Sequence, residues 1–108
     1  MQLTLIQALE RGVAAHKAGN LQEAERIYKV ILQSQPNHPD ANHNLGVLAV
    51  SVSKVDAAIP LFKKAVEANP KVEQFWLSYV DALIKLNQID NAREVLRQGK
   101  TNGLSGDK

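Results

Sequence analysis

Large apolar side chains return along this chain with the period of a helix. Leu21, Ala24, Ile27, Tyr28, Ile31 and Leu32 fall at i, i+3, i+6, i+7, i+10 and i+11, which places them on one stripe of a 3.6-residue turn. Gln22, Glu23, Glu25, Arg26 and Lys29 take the opposite side. Alternation of period two is absent, so strands are not expected. The pattern predicts helices over about 3–18, 21–34, 39–52, 55–68, 73–86 and 89–100. Turn residues separate them. Gly19 suits a left-handed helix exit, and Asn20 with Glu23 makes a start resembling a capping box. Gln35-Pro36-Asn37-His38-Pro39-Asp40 ends one helix and begins the next, with Pro39 suited to a first turn.

The helices recur as pairs. Gly12 and Gly46 are 34 residues apart, as are Pro36 and Pro70. Ala24, Ala58 and Ala92 keep that interval, as do Leu21, Val55 and Ile89, and Tyr28, Phe62 and Leu96. Five columns in register define three copies, at about 5–38, 39–72 and 73–104. Each copy is one supersecondary unit that buries its apolar face against its neighbours.

This pattern resembles the tetratricopeptide repeat. The family's small residues fall on Gly12 and Gly46 in the first helices and on Ala24, Ala58 and Ala92 in the second. Its aromatic falls on Tyr28 and Phe62, its tryptophan on Trp76 and its closing proline on Pro36 and Pro70. Small residues let two antiparallel helices approach, and the aromatic wedges between them. The resemblance implies an all-α solenoid: three antiparallel helix pairs stacked into a right-handed superhelical array, one domain over 1–102 with a flexible tail at 103–108. Departures are Arg11 for leucine, Val80 for glycine, Leu96 for the aromatic, Gly99 for alanine and Leu104 for the last proline. Gly99 costs its helix about 1 kcal/mol relative to alanine, so fraying is expected after about residue 98. Pro60 removes a donor in the second turn of the fourth helix and is expected to kink it.

The resemblance also implies that the first helix of each pair lines a concave groove. The positions carried over are Ile6, Leu9, Glu10, Val13, His16 and Lys17 in the first repeat. In the second they are Asp40, His43, Asn44, Val47, Val50 and Ser51, and in the third Gln74, Leu77, Ser78, Asp81, Ile84 and Lys85. An aliphatic floor with scattered polar groups suits an extended or helical peptide. The carboxylate clamp of chaperone-binding members needs lysines, an arginine and asparagines. Its positions here hold Leu9, Val13, Asn44, Gln74 and Ser78. Without a cation there, charge-assisted capture of a chain terminus fails. The stretch from Asp40 to Gly46 is similar to repeats of O-linked N-acetylglucosamine transferases, whose inward asparagines grip peptide backbone. Glu10 and Ser78 occupy the matching places in the other repeats, so no asparagine ladder forms.

Composition narrows the functions further. With thirteen Lys+Arg against eleven Asp+Glu, the net charge is +2, too small for binding driven by phosphate neutralisation. There are no cysteines, which excludes disulfides, thiolate metal sites and cysteine nucleophiles. His16, His38 and His43 have no metal-binding spacing and read as surface histidines. No phosphate-binding glycine motif, dinucleotide fingerprint or serine nucleophile elbow occurs. No catalytic residue, cofactor or metal is therefore expected. The absence of a signal-peptide pattern and of an apolar run long enough for a membrane points to the cytoplasm. Ile89, Val95 and Leu96 of the last helix are expected to leave some apolar surface open. The expectation is a non-catalytic module that binds a protein or peptide in its groove. The alternatives are a scaffold that self-associates as a homodimer through its third repeat, or the docking domain of a larger enzyme such as a glycosyltransferase, a setting in which similar bacterial repeats occur.

Overall fold

The computed structural model describes residues 4–103. Six helices follow one another: α1 (Leu5–Lys17), α2 (Leu21–Ser34), α3 (Pro39–Ser51), α4 (Val55–Ala68), α5 (Glu73–Lys85) and α6 (Ile89–Thr101). The described residues contain no strand. Helices pair as α1 with α2, α3 with α4 and α5 with α6, and successive pairs stack through α2 on α3 and α4 on α5. The array measures 45 × 26 × 22 Å. No helix among the described residues is long and apolar enough to cross a membrane.

Helix starts are fixed by local chemistry. Thr4 opens α1 with a full capping box: its hydroxyl accepts from the Gln7 amide at 3.0 Å, and Gln7 Oε1 accepts from the Thr4 amide at 3.1 Å. At α2 only half of the expected box forms. Asn20 accepts from the Glu23 amide at 3.4 Å, while the Glu23 carboxylate turns to Arg26 at 2.7 Å. Pro39 takes the first turn of α3, and the His38 imidazole caps it, Nδ1 accepting from the Ala41 amide at 3.1 Å. The turn inside each pair has one geometry. Gly19, Ser53 and Asn87, spaced 34 apart, all take a positive φ (83°, 66° and 61°). The following amide closes a 6→1 bond each time, from Asn20 to Ala15, Lys54 to Ala49 and Gln88 to Leu83.

Within each pair, contact is set by complementary size. A Cβ added at Gly12 would lie 2.5 Å from Tyr28 Cε1, and one at Gly46 2.5 Å from Phe62 Cε1. Both rings are 1% exposed. In the third pair the two departures from the family pattern compensate. Val80 stands where a glycine would, Leu96 where an aromatic would, and both pack against the same cluster around Leu83 and Val95.

Between pairs, the carbonyl of each closing proline is held by the next repeat. Asn42 Nδ2 donates to Pro36 O at 3.0 Å and to His38 O at 3.0 Å. Thirty-four residues on, Trp76 Nε1 donates to Pro70 O at 2.9 Å. Asn42 is 1% exposed, and its Oδ1 has no hydrogen-bond partner among the described residues.

The last helix keeps its expected span to within a residue. It runs to Thr101 with Gly99 buried, because Asn102 Nδ2 and the Thr101 hydroxyl bond back to the carbonyls of Gln98 and Arg97 at 2.9 and 3.0 Å. Its apolar face is better covered than expected. Val95 is 7% exposed and Leu96 half-buried, leaving Ile89 open at 39%. Pro60 lies inside α4, which spans Val55–Ala68. The expected tail lies outside the described residues except for Gly103, as does Leu104.

Candidate functional site

The residues expected to line a groove lie on the first helix of each pair. Between α1 and α3 lies a hollow of about 320 Å³, lined by Val13, His16, Lys17, Tyr28, Asn44 and Val47. Five of these were expected from the sequence. Tyr28 was expected only as a wedge between helices, but it also reaches the hollow. Burial holds its phenol pKa above the ordinary value. His16 and Lys17 come from the last turn of α1. The hollow thus has aliphatic and aromatic walls, two basic groups at its edge and one amide.

Asn44 is oriented from behind by a hydrogen-bond chain that spans two repeats. Its Oδ1 can only accept, so His43 Nδ1–H donates to it at 3.3 Å. His43 Nε2 then accepts from the Ser78 hydroxyl at 2.8 Å. Ser78 Oγ in turn accepts from Gln74 Nε2 at 3.1 Å. The imidazole stacks on Phe75 with centroids 4.8 Å apart and tilts against Phe62 at 5.5 Å. The chain of bonds fixes the neutral tautomer and turns the carbonyl of Asn44 inward.

His43 is therefore not the surface histidine expected from the sequence. It is 9% exposed, because α3 is the central first helix and is covered by both neighbouring repeats. Burial pushes its pKa below the ordinary value of 6.5, against smaller upward pulls from Asn44 and from the Asp40 charge. A signal was present. No Asp, Glu, Lys or Arg occurs between Asp40 and Lys54, and a helix that carries no charge beyond its first turn is covered on most sides.

The other expected groove residues are dispersed over the molecule. Leu9 and Val50 pack against the core, Leu9 beside Tyr28 and Ile31 and Val50 beside Phe62. Asp40 is exposed in the first turn of α3. On α5, Leu77 (42% exposed) and Ile84 (51%) form a separate patch with the Asp81–Lys85 ion pair at 3.2 Å. Leu77 is open where its counterpart His43 is covered, since no described helix follows to cover it. Ile6 is 71% exposed on α1. No three His, Asp or Glu side chains among the described residues are placed to hold a metal ion.

A family model described as Tetratricopeptide repeat matches residues 49–102. Comparison with curated proteins found no match. Among solved structures, MamA of AMB-1 superposes with a TM-score of 0.82 at 27% identity, with 98% of this chain and 57% of MamA covered. MamA of MSR-1 gives 0.78 at 27%, covering 95% and 58%. The chain thus spans less than two thirds of these MamA chains. The first TPR domain of Spaghetti, solved with the HSP90 peptide SRMEEVD, gives 0.82 at 18% identity, covering 94% and 81%. At that identity the likeness is one of fold.

Proposed function

Because the chain belongs to the tetratricopeptide repeat family, we propose that it is a non-catalytic interaction module that takes a peptide or protein segment in its concave groove. The observation that carries this reading is the hollow where Val13, His16, Lys17, Asn44 and Val47 meet. Its walls offer an apolar side chain a place out of water. The Nδ2 of Asn44, whose carbonyl is engaged by His43, is a donor for ligand backbone. Leu77 and Ile84 add a separate apolar patch on the third repeat. The bound HSP90 peptide of Spaghetti supports this mode of use for the shared fold. The carboxylate clamp itself lacks its cations here. The test is to select binders from a peptide array and repeat the measurement with Asn44, Val47 and Leu77 all changed to alanine, folding being checked by circular dichroism. Binding should fall at least tenfold, since two apolar contacts and one hydrogen bond are removed. Undiminished binding would remove the concave face from the proposal.

A second reading is self-association through the third repeat, favoured by the exposure of Leu77, Ile84 and Ile89 in that repeat. Light scattering over a concentration series tests it, and a constant monomer mass would end it.

A further inference from the structure

A second hollow lies on the other side of α3, between α2 and α4. It measures about 430 Å³, larger than the one in the groove, and shares no residue with it. Leu45, Leu48 and Ala49 of α3 form its floor, and Val52, 39% exposed, stands at its edge. Its volume falls within the range of small-ligand pockets, about 300–1,000 Å³.

The repeat supplies an internal comparison. Thirty-four residues on, Glu25, Leu45 and Ala49 become Ile59, Tyr79 and Leu83. All three counterparts carry larger or apolar side chains that pack into the core cluster around Phe75 and Trp76. In the α2/α4 trough the small Ala49 leaves space over the floor. Glu25 pairs with Lys29 at 2.9 Å, both at the rim of the trough. At these three positions the α2/α4 trough carries smaller or charged side chains, while its counterpart keeps a smaller hollow of about 250 Å³ beside Lys63 and Tyr79.

The rim is also biased in charge. Glu25 is paired with Lys29, whereas Lys54 has no carboxylate within 4.0 Å among the described residues. The hydrogen bond and charge of Lys29, with a smaller contribution from the Lys54 charge, hold the Glu25 carboxyl below its usual pKa. Two cations face one carboxylate, an arrangement complementary to a negative group.

We propose that the α2/α4 trough is a second interaction surface, taking a large apolar side chain of a partner polypeptide that carries a carboxylate beside it. The experiment uses the full 108-residue chain and two probes, acetyl-Leu-Asp-amide and acetyl-Leu-Lys-amide, followed by methyl NMR. Probes are raised to about 20 mM, the range in which burial of one leucine side chain approaches half-saturation. Saturating shifts are expected at Leu48, Val52 and Leu61, with the aspartyl probe roughly threefold tighter than the lysyl probe. Ala49→Leu, which copies Leu83, should abolish the shifts. If that variant does not fold, Glu25→Ile, which copies Ile59, blocks the same space from the rim. The proposal is overturned by shifts that do not saturate, by shifts at Val13 and Val47 alone, or by equal response of the filled variant. It is also overturned if the trough methyls shift with protein concentration before any probe is added, which would assign the surface to a second copy of the chain.

Discussion

Gly46 and Phe62 should be exchangeable only together. A Cβ at Gly46 would meet Phe62 Cε1, Cδ1 and Cζ at 2.5, 2.8 and 3.0 Å. The ring has nowhere to go: it is 1% exposed, packed among Ala49, Ala58 and Ala82, and lies 5.5 Å from the His43 ring. Gly46→Val gains about 0.4 kcal/mol of helix propensity but overpacks the site at a cost of about 1–3 kcal/mol. The net loss should be about 0.6–2.6 kcal/mol. Phe62→Leu alone leaves a gap and should cost about 1–2 kcal/mol. The double variant recreates the Val80/Leu96 combination that the third repeat already uses, so valine fills what leucine vacates. The expected coupling is about 1.5 kcal/mol in favour of the pair, measured as a double-mutant cycle in urea. Additivity within about 0.5 kcal/mol would refute the size-complementarity argument.

Two further outcomes follow from the same contacts. The unfolded chain takes up a proton at His43 before the folded chain does, because burial lowers the folded-state pKa below 6.5. Stability should therefore be unaffected by this group above pH 6.5 and fall as pH drops below it, by at most about 1.4 kcal/mol per pH unit, levelling off below the folded-state pKa. His43→Leu, the residue type at the equivalent positions 9 and 77, should remove this share, and an unchanged pH profile in that variant would contradict it. Ser53 takes a left-handed φ of 66° where Gly19 serves the first repeat. Ser53→Gly should raise stability by about 1 kcal/mol, checked by thermal unfolding.

The fold was legible because its determinants are local. Helix ends sit at Gly19, Asn20, Pro36 and Pro39, and the apolar stripe of α2 repeats at an interval of 34 residues. What escaped the sequence depends on contacts across repeats. His43 meets Ser78 35 residues away, and nothing near His43 in the chain announces that partner. Asn42 replaces the tryptophan of the family pattern yet makes the same bond to the preceding proline carbonyl as Trp76 does, a role that an amide and an indole share only through geometry. Ser53 and Asn87 hide a conformation that glycine would have declared. Of the residues expected in a groove, Val13, His16, Lys17, Asn44 and Val47 line one hollow, whereas Leu77, Asp81, Ile84 and Lys85 on α5 stand apart from it. Register along the helix gives a side chain's direction, and the stacking of neighbours decides whether that direction leads to solvent.

Methyl NMR of the full chain, titrated with a peptide chosen for its affinity, tests the central claim most directly. Binding in the concave groove predicts saturating shifts at Val13 and Val47, which line the hollow beside Asn44, with loss of the Val13 shifts in the Asn44, Val47 and Leu77 triple variant. Saturable binding that leaves Val13 and Val47 unmoved and survives the triple change would contradict it.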